Sequence, residues 1–367
     1  MKILMTTDNI GGVWTFAVDL ARDLKKAGIE VVLAIMGEPL TEKQVLQIEG
    51  IEYHFGRFKQ EWMPDPWDDI EAAGKWLMGL QEKIRPNLVH LNAYTFGRYR
   101  WKAPVLMTIH SDVLSWWQAV KHEPAPAEWD TYRKKVKTGI QAARHISAPS
   151  NAMMHAAEEY YGPFLHQTVI YNGRDSETFF PAPKEKFIFS MGRLWDEAKN
   201  CRLLLEAAPR IDYPIYIAGD NRDVDSDTVP SNVHFTGQLS TAEIAVYLAG
   251  AAVYALPVKY EPFGYTFVEA AFSGCALIGG DVDSLNEIWE EDMTYVDPDD
   301  ASALASAVNQ LMADEEALHA FASNAFKRAH ARYRIERMAG YYAVLYRNML
   351  NMPADNIPNR NLNFKTV

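Results

Sequence analysis

Two carboxylates eight positions apart, Glu261 and Glu269, bracket the segment Glu261-Pro-Phe-Gly-Tyr-Thr-Phe-Val-Glu269. An apolar run, Ala252–Leu256, precedes it and Gly274 follows. This spacing reads as strand, loop and helix, with Gly264 at the turn where the helix begins. N–H groups at such a helix start lack intrahelical acceptors and attract phosphate or sugar oxygens. Glu261 then lies in the loop at the carboxyl edge of a sheet. Glu269 lies one turn into the helix, where a carboxylate can accept from two vicinal hydroxyls. The implied ligand carries hydroxyls at both ends and a diphosphate between. The plainer alternative is an ordinary helix with one capping and one exposed glutamate.

Three further clusters sit at equivalent strand ends. Arg193 and Lys199 follow the apolar run Phe187–Ser190 closely enough for both cations to meet one diphosphate, the arginine as a fork and the lysine as a mobile point charge. Either one alone reads as a surface cation. Gly11-Gly12 follows the first apolar run and permits close backbone approach to a ligand, although many such turns serve only chain reversal. His110 and Asp112 end the run Val105–Ile109 and should face a ligand; the alternative is a cap or a packed ring. His90 and His145 read as structural, and the pair Trp116-Trp117 as core. The Gly pattern is not Gly-x-Gly-x-x-Gly, which argues against a nicotinamide oxidoreductase. There is no metal-ligand spacing of Cys and His, no His-Glu-x-x-His and no Gly-x-Ser-x-Gly. The expectation is therefore no metal and no cofactor.

These residues need strands that end at one edge. Short apolar runs alternate with stretches of helical period, the signature of parallel sheets covered by helices. Strands are expected at Ile3–Thr6, Ile29–Ile35, Ile51–Phe55, Asn87–Leu91, Val105–Ile109, His145–Ala148 and Thr168–Tyr171. A second series runs through Phe187–Ser190, Ile215–Ala218, Val233–Thr236, Ala252–Leu256, Ala276–Ile278 and Thr294–Val296. Near-continuous apolar strands imply sheets buried on both faces. Asn-Gly and two prolines interrupt the pattern at Asn172–Lys184, and from Asp300 to about Asn351 the chain reads as helical. The Asn/Pro-rich tail after Met352 shows no apolar period.

At 367 residues the chain exceeds one ordinary core, so two domains are expected: 1–170, completed by a last helix and tail at about 335–367, and 171–334. Residues 1–166 hold 19 Lys and Arg against 20 Asp and Glu, and the rest holds 17 against 28. An acidic second half argues against nucleic acid, which needs a broad basic face. Basic clusters occur only in the first half, at Arg98–Lys102 and Arg133–Lys137. They read as solvated faces, with weak peripheral membrane contact as the alternative. No apolar run approaches a bilayer span, the N-terminus turns polar too early for a secretory signal, and Cys201 and Cys275 sit among apolar residues. A cytoplasmic location, with the inner membrane face as a variant, is the expectation.

With these signals in this order, the chain resembles the retaining glycosyltransferases of family 4, the glycosyl transferases group 1. The matching pieces are Gly11-Gly12, His110, Ser147–Ser150, Val169–Gly173, Met191-Gly-Arg193 with Lys199, Ile217–Asp220, Val233–Gly237, and Glu261 to Glu269. The resemblance implies an α/β GT-B fold, two Rossmann-like domains with parallel sheets facing across a cleft. It implies that Arg193 and Lys199 hold the donor diphosphate and Glu269 the ribose. Glu261, His110 and the backbone from Gly264 through Tyr265 to Thr266, beside Phe263, would hold the transferred sugar and phosphate. Leu239 would lie by the nucleobase, and Gly11-Gly12 would admit the phosphate. The implied activity moves a hexosyl group from a nucleotide diphosphate sugar, UDP-sugar favoured, to a glycan or lipid-linked acceptor, with retention and without metal, in polysaccharide or glycoconjugate synthesis. The alternatives are a GT-B-like sugar-nucleotide epimerase and a non-catalytic nucleotide-sugar-binding protein. Two departures stand out: Asp281-Val-Asp283-Ser284-Leu-Asn-Glu287 replaces a frequent Gly-Gly before Pro-Glu, and Asn200 follows Lys199 where Gly is frequent.

Overall fold

The computed structural model describes residues 1–220 and 229–351. The chain forms two compact units. The first takes in Met1–Gln118, Glu123–Gly173 and the chain from Ile335, and the second Ala119–His122 and Arg174–Arg334. The tail after Met352, for which the sequence shows no apolar period, lies outside the described residues.

The first unit is built on β1 (Lys2–Asp8), β2 (Glu30–Met36), β3 (Glu52–Gly56), β4 (Leu88–Leu91), β5 (Val105–Thr108), β6 (His145–Ala148) and β7 (Gln167–Val169). The strand order is β3-β2-β1-β4-β5-β6-β7, and each pairing is parallel. The second unit uses β8 (Glu185–Met191), β9 (Ile215–Ala218), β10 (Val233–Gly237), β11 (Ala251–Leu256), β12 (Ala276–Gly280) and β13 (Thr294–Val296). Their order is β10-β9-β8-β11-β12-β13, again parallel throughout. Both orders reverse direction once, between β1 and β4 and between β8 and β11. In doubly wound sheets that switch point opens a crevice at the carboxyl ends of the strands, where ligands bind. The central strands β4, β5 and β11 are buried along their full length, as helices on both faces require.

The helical stretch from Asp300 is three helices: Ala301–Ala313, Glu315–Arg332 and Ile335–Asn351. Asp314 interrupts it, ending one helix and accepting the Ala317 N–H at the start of the next. The last helix packs into the first unit through hydroxyls as well as apolar side chains. Tyr346 Oη lies 2.7 Å from His90 Nδ1, and His90 Nε2 lies 2.6 Å from Thr108 Oγ1. Tyr342 stands edge-on to Phe16 with ring centroids 5.5 Å apart. Its Oη lies 3.4 Å from Thr108 Oγ1 and 3.5 Å from Ser147 Oγ. Both tyrosines are fully buried, so their hydroxyls need these partners. His90 is therefore structural, as its place inside a strand suggests. Trp116 and Trp117, expected in the core, are half-buried and meet edge to face.

Candidate active site

In the second unit the two loops that flank the switch point carry the charged residues. The loop after β8 holds Arg193 and Lys199, and the loop after β11 holds Glu261 and Gly264. They are tied by the Lys259 N–H donating to Ala198 O at 2.9 Å. Lys199 Nζ lies 2.5 Å from Glu261 Oε2, with both side chains largely shielded from solvent. Such a pair is charge-assisted and geometrically defined. Ser284, in the segment that departs from the family pattern and at the start of the short helix Asp283–Trp289, donates its hydroxyl to the carbonyl of Glu261. Arg193 is not part of this pair. It is exposed, bonds Asp196 Oδ2 at 2.9 Å and covers the ring of Trp195 at 5.1 Å. Asp196 is itself buried and accepts the Ala198 N–H.

The helix Tyr265–Phe272 starts from Gly264, whose φ of 90° lies in the left-handed region. A Cβ there would come within 2.8 Å of Phe267 Cδ2, so glycine is required both for torsion and for room. As N-cap, Gly264 brings no side-chain acceptor of its own. The first helical hydrogen bond is Phe267 N–H to Gly264 O at 3.1 Å, so the Tyr265 and Thr266 N–H groups lie ahead of the first intrahelical donor. Phe263 is buried edge-on to Tyr265 and Tyr333; its ring serves packing. Glu269, one turn into the helix, is buried and bonds Arg174 Nε through Oε1 at 2.7 Å. Leu239 is half-buried at the carboxyl end of the edge strand β10, beside the capping box of Ser240 and Glu243. One strand, β9, separates β10 from β8, two inter-strand spacings or roughly 10 Å.

In the first unit, Gly11 opens the helix Gly11–Lys26 with a φ of 63°. Its N-cap, Ile10, offers no side-chain oxygen, and the first turn carries no acidic residue. This leaves an electropositive helix start. Gly12 is the next, helical residue, and both are exposed. His110 ends β5 and is half-buried, edge-on to Phe16 with centroids 4.5 Å apart. Asn92 donates through Nδ2 to Thr6 O at 2.7 Å, which turns its Oδ1 toward His110 Nε2 at 2.9 Å. Nε2 is thus the protonated nitrogen and Nδ1 the acceptor. Burial pushes the His110 pKa down to about 3, so the ring is neutral at pH 7. Asp112 takes another role than expected: its buried carboxylate accepts the N–H groups of Leu114 and Ser115 and the hydroxyl of Tyr161, as a helix cap.

The basic clusters of the first unit are largely engaged by carboxylates. Arg98 and Lys135 bond Glu71, Lys102 bonds Glu82, and Arg133 bonds Asp130. Arg100, Lys134 and Lys137 are the exposed cations that remain in these clusters. Among the described residues no helix is long and apolar enough to cross a membrane, and no cluster of three or more His, Cys, Asp or Glu could hold a metal ion.

Sequence reasoning gave no role to Arg174 and Asp196, and took Asn200 and Ser284 only as departures from the family pattern. Asn200 occupies the left-handed region at φ 53° and ψ 32°, so the turn after Lys199 keeps the shape a glycine would allow. Arg174 follows the Asn172-Gly173 pair directly, and an arginine at that turn was the available signal.

Two parallel doubly wound units, each with polar residues at its switch point, define the GT-B class of glycosyltransferase. The model of Glycosyltransferase Family 4 matches residues 10–178, and that of Glycosyl transferases group 1 matches residues 185–314. The chain belongs to this glycosyltransferase family. It is 25% identical to a glycogen synthase of Mycobacterium tuberculosis over 94% of each chain. Its fold resembles sucrose-phosphate synthase from Thermosynechococcus elongatus with a TM-score of 0.79, at 20% identity over 95% of this chain and 99% of that one. Anabaena HepE in complex with UDP-glucose superposes with a TM-score of 0.77, at 18% identity over 94% and 99%.

Proposed function

We propose that the protein is a retaining hexosyltransferase that takes a nucleotide diphosphate sugar as donor, UDP-sugar favoured, and an acceptor hydroxyl on a growing glycan or glycoconjugate. The observation that carries this reading is the Lys199–Glu261 pair at the switch point, beside the helix that starts from Gly264. Departure of a nucleoside diphosphate from an oxocarbenium-like sugar develops negative charge on the leaving oxygens. Preorganised cations and N–H groups lower the barrier to that step. Lys199 and Arg193 supply the cations, in place of a metal ion, and Tyr265 and Thr266 the N–H groups. Glu261 holds a sugar hydroxyl and Glu269 the ribose pair, with Leu239 at the base. In the first unit the Gly11-Gly12 helix start takes a phosphate oxygen, and His110 offers a neutral acceptor nitrogen to the sugar. UDP-sugar is favoured because the Anabaena fold neighbour was solved with UDP-glucose. Retention follows the family resemblance.

Thermal-shift and slow-hydrolysis measurements across UDP-, GDP- and ADP-sugars test the reading. One nucleotide sugar should raise the melting temperature and be hydrolysed slowly without acceptor, and Lys199→Ala should abolish the hydrolysis. A panel in which no nucleotide sugar binds would overturn it.

A further inference from the structure

Lys199 can stabilise a leaving diphosphate only if its backbone is held still against the loop that carries Glu261. One side chain does this by an unusual route. Asn200 occupies the position just before the helix Cys201–Ala207, where a short polar side chain ordinarily caps the helix's own N–H groups. Here it makes no such cap. Its Nδ2 instead donates to two carbonyls on other loops, Pro257 O at 2.8 Å and Pro298 O at 2.6 Å. Pro257 directly follows β11 and Pro298 lies just beyond β13. One amide therefore ties the ends of three strands, β8, β11 and β13, through the residue next to Lys199. The left-handed backbone at Asn200, φ 53°, aims the side chain away from its helix.

We propose that Asn200 is a positioning residue for the donor diphosphate: its amide clamps the Lys199 loop to the Glu261 loop, so that the ammonium is fixed where the leaving charge develops. The proposal rests on the assignment of Lys199 to the diphosphate. A side chain that merely supported the fold would affect every ligand of the second unit alike. A clamp on Lys199 should affect only ligands that carry a diphosphate.

The test is calorimetric titration of the full chain with UDP and with uridine, GDP and guanosine being run in parallel. The variants are N200G, K199A and the double variant. Glycine keeps the left-handed torsion and removes only the amide, and a melting curve for each variant verifies folding. N200G should weaken UDP by about fivefold and uridine by less than about twofold, in line with the loss of hydrogen bonds that orient one charged group. In the double variant the two losses should not add, because both act through the same ammonium. Equal weakening of UDP and uridine by N200G, or no weakening of either, overturns the clamp. If K199A removes the advantage of UDP over uridine and N200G leaves it intact, the clamp fails and the assignment of Lys199 stands. If K199A leaves that advantage unchanged, the assignment itself falls, and the clamp with it.

Discussion

The two units share one strand order, to which the first adds a seventh strand, and place polar residues at the same edge, yet those residues differ in kind. At the first sheet the strand ends present imidazoles and an amide: His110 on Asn92, and His90 beneath it on Thr108 and Tyr346. Burial holds both histidines neutral at physiological pH. At the second sheet they present ion pairs, Lys199 with Glu261, Arg174 with Glu269 and Arg193 with Asp196. Partly buried ion pairs are poor devices for stability, because desolvation offsets much of the attraction. Under the proposed function they receive a charged ligand, since the Lys199 and Arg174 cations are already largely shielded from water and held. Neutral rings suit hydroxyls. Topology supplies the crevice in both units, and loop residues decide what enters it.

The largest expected effect breaks the charged side of this contrast. Lys199→Ala and Arg193→Ala should each lower turnover by about 10²-fold or more, as other lost transition-state contacts do. Nucleotide binding should suffer less than rate. Steady-state kinetics that show near-normal turnover in both variants would remove these cations from the chemistry.

Glu269→Gln tests whether the carboxylate itself is needed. Replacing it by a neutral isostere should weaken free nucleoside diphosphate by about 1–3 kcal/mol, roughly 5- to 150-fold. The nucleoside should be weakened equally, because ribose is common to both. Unchanged affinity by calorimetry would leave Glu269 as a structural partner of Arg174.

The glycines sharpen the comparison at lower amplitude. Gly11 and Gly264 both start helices with positive φ, but a Cβ at Gly11 meets nothing within 4 Å whereas one at Gly264 meets Phe267 at 2.8 Å. Alanine at either position should cost about 1–2 kcal/mol in backbone strain. Only Gly264→Ala should add overlap, and so it should melt lower than Gly11→Ala. Equal melting temperatures would show that Phe267 yields without cost.

Much of this was legible from the chain alone, for a physical reason. Strands buried on both faces must be apolar throughout, so thirteen runs could be placed close to their observed ends. Residues just beyond those runs must lie at the carboxyl edge, which brought Lys199, Glu261, Glu269, Gly11 and His110 into view. Two of the residues given no role act through partners far away in sequence. Asn200 reaches a carbonyl 98 positions on, and Arg174 a carboxylate 95 positions on. No local pattern encodes either contact. Asp112 was misread for a related reason: a carboxylate after a strand is equally placed for a ligand or for the next helix, and the Leu114 and Ser115 N–H groups claim it. Within the helical run from Asp300 only the last helix, from about 335, was set apart, and the break at Asp314 was not seen.

The smallest effect tests the neutral side through a histidine remote from the candidate site. His145 is buried, bonds Thr168 Oγ1 at 2.8 Å and stacks on His166. Burial, with His166 adding to it, lowers its pKa to about 4. An unfolded chain would protonate this ring at about 6.5. Between those values the unfolded state binds the extra proton, so stability is intact above pH 6.5 and falls as pH drops toward 4. At pH 5.5 the loss from this one ring is about 1.4 kcal/mol, or about 3–6 °C of melting temperature for a unit of this size. His90 and His110 act in the same sense. Glu61 acts against them, because burial raises its carboxyl pKa and favours the protonated fold. The wild-type curve is therefore a sum of opposing contributions, and its slope assigns nothing. His145→Gln keeps an amide for Thr168 and removes the titration. The fall in melting temperature from pH 7.0 to 5.5 should be smaller in this variant by about 3–6 °C, in the transition of the first unit. A fall equal to that of the wild type would mean that His145 takes up its proton in the folded chain as readily as in the unfolded one, and the neutral character assigned to the first unit would not extend to this ring.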